Sequence, residues 1–200
     1  VDALKACGLA RFHVELGHVD FFRELTARVD MPADTVEQAR ELIEGKNFAA
    51  LGDLLEPYRG QAACEPLRRL SRLFGGAEVL DEAETLSGGS DALDYLRDLY
   101  GELKSAGYGD YIRFDLGMVH QIDYYTGVVF RGYVEGGGDA LPPGGRYDTL
   151  VESFGRRAQA TGFAVDVDAA AGCPAPAVPP PGGTVVHFGG GEPSPAPGGG

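Results

Sequence analysis

The sequence predicts an α+β domain, an antiparallel sheet flanked by helices, with a disordered tail. Three observations predict it. Residues 11–16 and 111–116 alternate apolar and polar side chains with a period of two, and GVVFRGYV adds a β-branched and aromatic strand. Residues 33–106 between them keep helical spacing throughout. After residue 171 both patterns stop and Pro and Gly take over.

In chain order, residues 2–8 read as the last turns of a helix stopped by Gly8. The stretch RFHVELGHV sets Phe12, Val14 and Leu16 against Arg11, His13 and Glu15, a half-buried strand. FFRELTARV places Phe21, Phe22, Leu25 and Val29 on one helical face ahead of Pro32. Asp34 and Glu37 have capping-box spacing before Val36, Leu42 and Ile43, with Gly45 as the stop. Asn47 caps a short helix carrying Phe48, Leu51 and Leu55 that ends at Pro57. A third helix carries Leu67, Leu70, Leu73 and Phe74, and a weaker fourth carries Val79, Leu80, Ala83 and Leu86. Ser90 caps a long helix with Leu93, Leu96, Tyr100 and Leu103, ended by Gly107. These helices read as packing elements.

From Tyr111 the period returns to two. Ile112, Phe114 and Leu116 face one way, and Tyr111, Arg113 and Asp115 the other. GVVFRGYV is a β-branched and aromatic strand followed by the reversal EGGG. GGRYD leads into a short helix with Leu150, Val151 and Phe154, ended by Gly155, and GFAVDV reads as a last buried strand. The division expected is a partial core over 1–171, containing the helical block 33–106, and a Pro/Gly-rich tail over 172–200. The tail is too poor in apolar residues to pack, apart from the short run TVVHF.

A formal net charge of −13 would repel a phosphate backbone, so nucleic acid is not an expected partner. The densest basic cluster, Arg68, Arg69 and Arg72, lies among acids and reads as a solvated helix face. Cys7, Cys64 and Cys173 form no metal-binding spacing and no disulfide framework, which points to a reducing, cytoplasmic setting. No apolar run approaches the roughly 20 residues of a membrane span, and no signal peptide is evident. The chain starts at Val1 inside a helical pattern, so a fragment or a processed chain is expected.

Chemistry-bearing residues concentrate between Tyr111 and Asp168. Tyr124 and Tyr125 are neighbours on a strand; they read either as two sheet aromatics or as part of a pocket for a small planar ligand. Gly144-Gly145-Arg146-Tyr147-Asp148 reads either as a glycine turn presenting N–H groups and an arginine fork to an anion, or as a turn with an Arg146–Asp148 surface pair. His120 is placed to share a cleft with Tyr124, whereas His13, His18 and His187 read as structural. Asp166 and Asp168 form an acidic pair or a solvated strand face. There is no HExxH, P-loop, GxGxxG or supported Ser/His/Asp set.

Taken together, DYYTGVVF, GGRYDTLV and TGFA resemble the histidyl-tRNA synthetase catalytic domain over about residues 1–171. RFDLGMVH, FRGYVEG, GRYDTLVESFG, GFAVDVDA and VELGHVDFF are closer to its paralogue family, the ATP phosphoribosyltransferase regulatory subunits. The resemblance implies a class II aminoacyl-tRNA synthetase-like sheet, with the family's insertion inside 33–106. It implies histidine binding through His120, Tyr124, Tyr125, Gly144, Gly145, Arg146 and Tyr147. It also implies that His120 and Ala169 stand where the synthetase keeps two phosphate-handling arginines, and without those cations adenylation is not expected. The implied role is a non-catalytic subunit, without cofactor or metal, that assembles with the short-form ATP phosphoribosyltransferase catalytic subunit. There it would support the first step of histidine biosynthesis and carry histidine feedback. The alternatives are a fragment of a histidyl-tRNA synthetase and a scaffold subunit that binds nothing small. The family's N-terminal segment, with its dimer-forming motif, would lie outside this sequence.

Overall fold

The computed structural model describes residues 1–9, 11–119, 125–135, 141, 143–150, 152, 155 and 158–164. The elements are α1 (Asp2–Ala6), β1 (Phe12–His18), α2 (Val19–Thr26), α3 (Ala33–Glu44), α4 (Phe48–Leu55), α5 (Cys64–Arg69), β2 (Phe74–Gly75), α6 (Glu78–Ser87), α7 (Asp91–Ser105), β3 (Ile112–Asp115), β4 (Val128–Val134), β5 (Gly144–Arg146) and β6 (Thr161–Gly162). Short 3-10 turns follow α4 and α5 and precede β3.

The strands form one six-stranded sheet in the order β2-β3-β1-β4-β5-β6. Every pairing is antiparallel except β1 with β3, which run parallel, Val14 beside Ile112 and Leu16 beside Phe114. A parallel pair needs a long crossover, and the helices α2 to α7 between His18 and Ile112 provide one. The helical block is thus the link that lets β1 and β3 lie side by side.

Packing holds that block. Ile43, Leu51, Leu55, Leu67, Leu70, Leu93 and Leu96 are wholly buried in one cluster with Phe21, Leu25 and Phe114. Each contributes about 2 kcal/mol by burial, far more than a helix as short as α4 gains from propensity. Asn47 caps α4 by accepting from the Ala50 N–H at 3.2 Å, and Ser90 caps α7 through the Leu93 N–H at 3.4 Å. Gly107, at φ 83°, leaves α7 by the left-handed exit that glycine permits.

Four local expectations are corrected. Asp34 and Glu37 make no capping box: Pro32 occupies the N-cap with φ −58° and ψ 149°, α3 begins at Ala33, and Glu37 pairs with Arg40. Phe74 does not extend a buried helix. The chain turns at Leu73, whose carbonyl accepts from the Leu116 N–H at 3.0 Å, and Phe74 joins the free edge of β3 and stays exposed. Gly144-Gly145-Arg146 is a strand rather than a turn before a helix, because β4 and β6 hold it on both sides. The last strand is two residues long where described, and Phe163 beyond it is 61% exposed rather than buried.

Part of the sequence reading lies outside the described residues: His120, Tyr124, Val151, Phe154, Asp166, Ala169, His187 and the tail 172–200. Among the described residues, no helix is long and apolar enough to cross a membrane.

Candidate functional site

The two faces of the sheet differ in chemistry. On one, Val14, Leu16, Ile112, Val128 and Phe130 line an open apolar cavity of about 400 Å3 flanked by α1 and α7. On the other lie His13, Glu15, Gly17, Val129, Arg131, Tyr133 and Gly145, since strand residues alternate sides.

That second face carries a row of small residues. Gly17 pairs with Val129, Val129 with Gly145, and Gly145 with Gly162, so three glycines and a valine cross four strands in register. Large side chains lie in the trough they leave. A Cβ on Gly17 would sit 3.1 Å from Met118 Cβ, and one on Gly145 would sit 2.6 Å from the Tyr125 ring. A Cβ on Gly162 would strike the Tyr147 hydroxyl. Met118, Tyr125, Val129 and Val19 form a buried cluster, against which Tyr147 packs half-buried. The glycines are there for close approach and not for unusual dihedrals, as none of the three has a positive φ. The result is a two-tyrosine platform on a glycine floor, an arrangement suited to a flat ring with polar edges.

Beside the platform runs a polar row. His13 Nε2 lies 3.2 Å from Glu15 Oε1, and the His13 ring stacks on Tyr133 at 5.3 Å. Glu15 is only 5% exposed; burial pushes its carboxyl above the usual glutamate range, opposed by the hydrogen bond from His13 and assisted by the nearby Asp115 charge. Asp115, also buried, accepts from the Gly117 N–H at 2.9 Å and lies 3.6 Å from Lys46 Nζ. The sequence alternation marked this side of β1 as solvated. The chain after β3 folds back over its Gly17 end, where the Asp115 carbonyl and Met118 close on Gly17, and Glu15 is buried as well.

Of the seven residues singled out for ligand binding, the structure brings Tyr125, Gly145 and Tyr147 together. Gly144 and Arg146 belong to the opposite face. Gly144 makes room for the Phe130 ring, 2.6 Å from where its Cβ would be. Arg146 Nε donates to Asp148 Oδ2 at 2.8 Å, bonds Tyr95 as well, and lies near His18. His18 is structural: its Nδ1 accepts from the Asp20 N–H at 3.3 Å, capping α2, and its ring meets Tyr95 edge-on at 5.2 Å. Burial lowers its pKa, with Asp20 and Glu24 opposing. Sequence reasoning missed Gly17, Met118 and Gly162. The glycines are visible in the sequence, but only the strand register aligns them. Among the described residues, no group of three or more His, Cys, Asp or Glu side chains is placed to hold a metal ion.

A mixed sheet flanked by helices, with a helical crossover beside a glycine-floored aromatic platform, defines a class II aminoacyl-tRNA synthetase-like domain. The model of the histidyl-tRNA synthetase family matches residues 1–170, and the chain belongs to that family. The ATP phosphoribosyltransferase regulatory subunit of Clostridium kluyveri is 41% identical over 174 residues, covering 84% of this chain and 44% of the relative. A crystal structure from Bacillus halodurans, described as an ATP phosphoribosyltransferase regulatory subunit/histidyl-tRNA synthetase, superposes with a TM-score of 0.76 at 35% identity, covering 84% of this chain and 46% of that one. A histidine–tRNA ligase subunit from Alicyclobacillus acidocaldarius matches at 25% identity and a TM-score of 0.70, covering 84% of this chain and 56% of that one. The chain therefore spans less than half the length of the curated relatives it matches here.

Proposed function

We propose that this chain is the sensing core of an ATP phosphoribosyltransferase regulatory subunit, which binds free histidine and has no catalysis of its own. One observation carries the reading: an intact tyrosine–glycine platform coexists with His120 and Ala169 at the positions where the synthetase resemblance expects arginines. The platform suits an imidazole ring. An enzyme that must stabilise charge developing on phosphate does not keep its rate without those cations. The relatives named as regulatory subunits support the same branch, at 41% identity against 25% for the ligase.

On this reading, histidine settles against the half-buried Tyr147, with the buried Tyr125 supporting it from beneath and His120 and Tyr124 contributing from the adjoining segment. The protein assembles with the short-form ATP phosphoribosyltransferase catalytic subunit in the cytoplasm. Histidine then acts by favouring one of two states of that complex.

Calorimetric titration with histidine, on the full-length protein and on Tyr125→Phe and Tyr147→Phe variants, tests the site. Saturable binding weakened in both variants is expected; no heat at millimolar histidine removes the sensing role and leaves a scaffold. Histidine-dependent adenylate formation from ATP would instead establish the synthetase reading. Failure to co-purify with the catalytic subunit would overturn the assignment to that complex.

A further inference from the structure

We propose that the helical block carries a binding site for a small phosphate-bearing anion, built by Arg59, Arg68, Arg69 and Arg72. The proposal concerns a place remote in sequence from the tyrosine platform and does not depend on histidine binding. The four arginines line a recess of about 220 Å3 whose other walls are Phe48, Gly52 and Glu65. Four cations face three carboxylates, Glu65 in the wall and Glu56 and Glu82 beside it, which leaves a local excess of positive charge in a chain whose net charge is −13.

The recess is assembled from two segments. Arg68 and Arg69 are neighbours at the end of α5, Arg72 follows about one turn later in the 3-10 continuation, and Arg59 comes from the turn after α4. Gly52 on α4 leaves room for Arg68, whose Nη2 lies 3.5 Å from where a Cβ would be. The sequence alone suggested a solvated helix face. The fold adds Arg59 and the α4 wall, turning a face into a concavity.

The carboxylates that touch these arginines hold them loosely. Glu56 pairs with Arg59 at 3.0 Å and with Arg68 at 3.4 Å, and Glu82 pairs with Arg69 at 2.8 Å, all with carboxylates about half exposed. Exposed pairs of this kind contribute little, so a ligand displaces them at small cost. Arg72 rests over the Phe48 ring at 5.0 Å and has no carboxylate partner among the described residues. Arg72 is exposed, so an incoming anion can reach it without displacing a carboxylate.

The chemistry favours phosphate over a lone carboxylate. Guanidinium forks bond oxyanions two oxygens at a time, and phosphate presents oxygens in several directions to forks arriving from several directions. The recess admits a phosphate or diphosphate group, with any attached sugar or base remaining outside.

The test is calorimetry of the full chain with inorganic diphosphate at low salt, using Arg72→Ala, Arg68→Gln and, as control, Arg11→Ala. Saturable binding that weakens with added salt is expected, with a loss of about tenfold or more in Arg72→Ala and none in Arg11→Ala. If Arg72→Ala fails to fold by circular dichroism, Arg68→Gln decides. ATP and ribose 5-phosphate, titrated alongside, identify which kind of molecule supplies the phosphate. No binding at millimolar diphosphate, or equal binding by wild type and both recess variants, overturns the site. Citrate or an oligoglutamate peptide binding more tightly than diphosphate would overturn the phosphate assignment in favour of a carboxylate partner.

Discussion

Gly145→Ala is the sharpest probe of the tyrosine platform, because the substitution adds one methyl group and little else. Gly145 has no positive φ, so alanine meets no backbone penalty there. The added Cβ would instead stand 2.6 Å from two carbons of the Tyr125 ring and 2.9 Å from the Val128 carbonyl oxygen. The ring cannot swing away freely, since Tyr125 is 3% exposed and packed with Val19, Met118 and Val129. Overpacking of this kind costs about 1–3 kcal/mol, which corresponds to roughly 2–12 °C in Tm for a domain of this size. Urea denaturation monitored by circular dichroism measures the cost directly. Tyr125→Ala and the double variant supply the control. With the ring gone most of the clash is gone, so the double variant should be more stable than the summed single costs imply, by about 1 kcal/mol or more. Costs that add to within about 0.5 kcal/mol would show that the glycine does not exist to accommodate this tyrosine, and the platform argument would fail with it.

Two further outcomes follow from the same geometry. His18 has its pKa lowered by burial, so below about pH 6.5 the unfolded chain takes up a proton that the folded chain resists. Stability should therefore fall as the pH drops through that value. His18→Asn, which keeps a capping acceptor, should flatten this limb in denaturation curves between pH 5 and 8; an unchanged slope would refute it. Ser90→Ala removes the cap of α7 and should cost about 1 kcal/mol, without altering histidine affinity, since α7 packs on the opposite face from the platform.

Much of the fold was legible because its signals are local. The alternation in FHVELGH, the Asn47 and Ser90 caps and the leucine spacing of α7 depend on residues within one or two turns of each other, and each element formed. Where a long-range partner competes, the local signal loses. The free edge of β3 drew Phe74 out of its helix, whereas the Asp34–Glu37 box lost to near neighbours, Pro32 at the N-cap and Arg40 three residues on. The polar side of β1 read as solvated because nothing in RFHVELGHV announces that Met118, some hundred residues later, will cover Gly17.

The sequence by itself determined the residue types of the site, its aromatic and glycine content, and the family resemblance carried by DYYTGVVF and GGRYD. It also determined that two distant β stretches enclose a helical block. Only the tertiary structure decided which of those residues meet. Register aligned Gly17, Gly145 and Gly162 across four strands and set Tyr125 and Tyr147 over them. It sent Arg146, their immediate neighbour, to the far side with Asp148 and Tyr95. The physical reason is the strand period of two: adjacent residues in a motif point to opposite faces, and only the pairing of strands tells which face each motif shares with another.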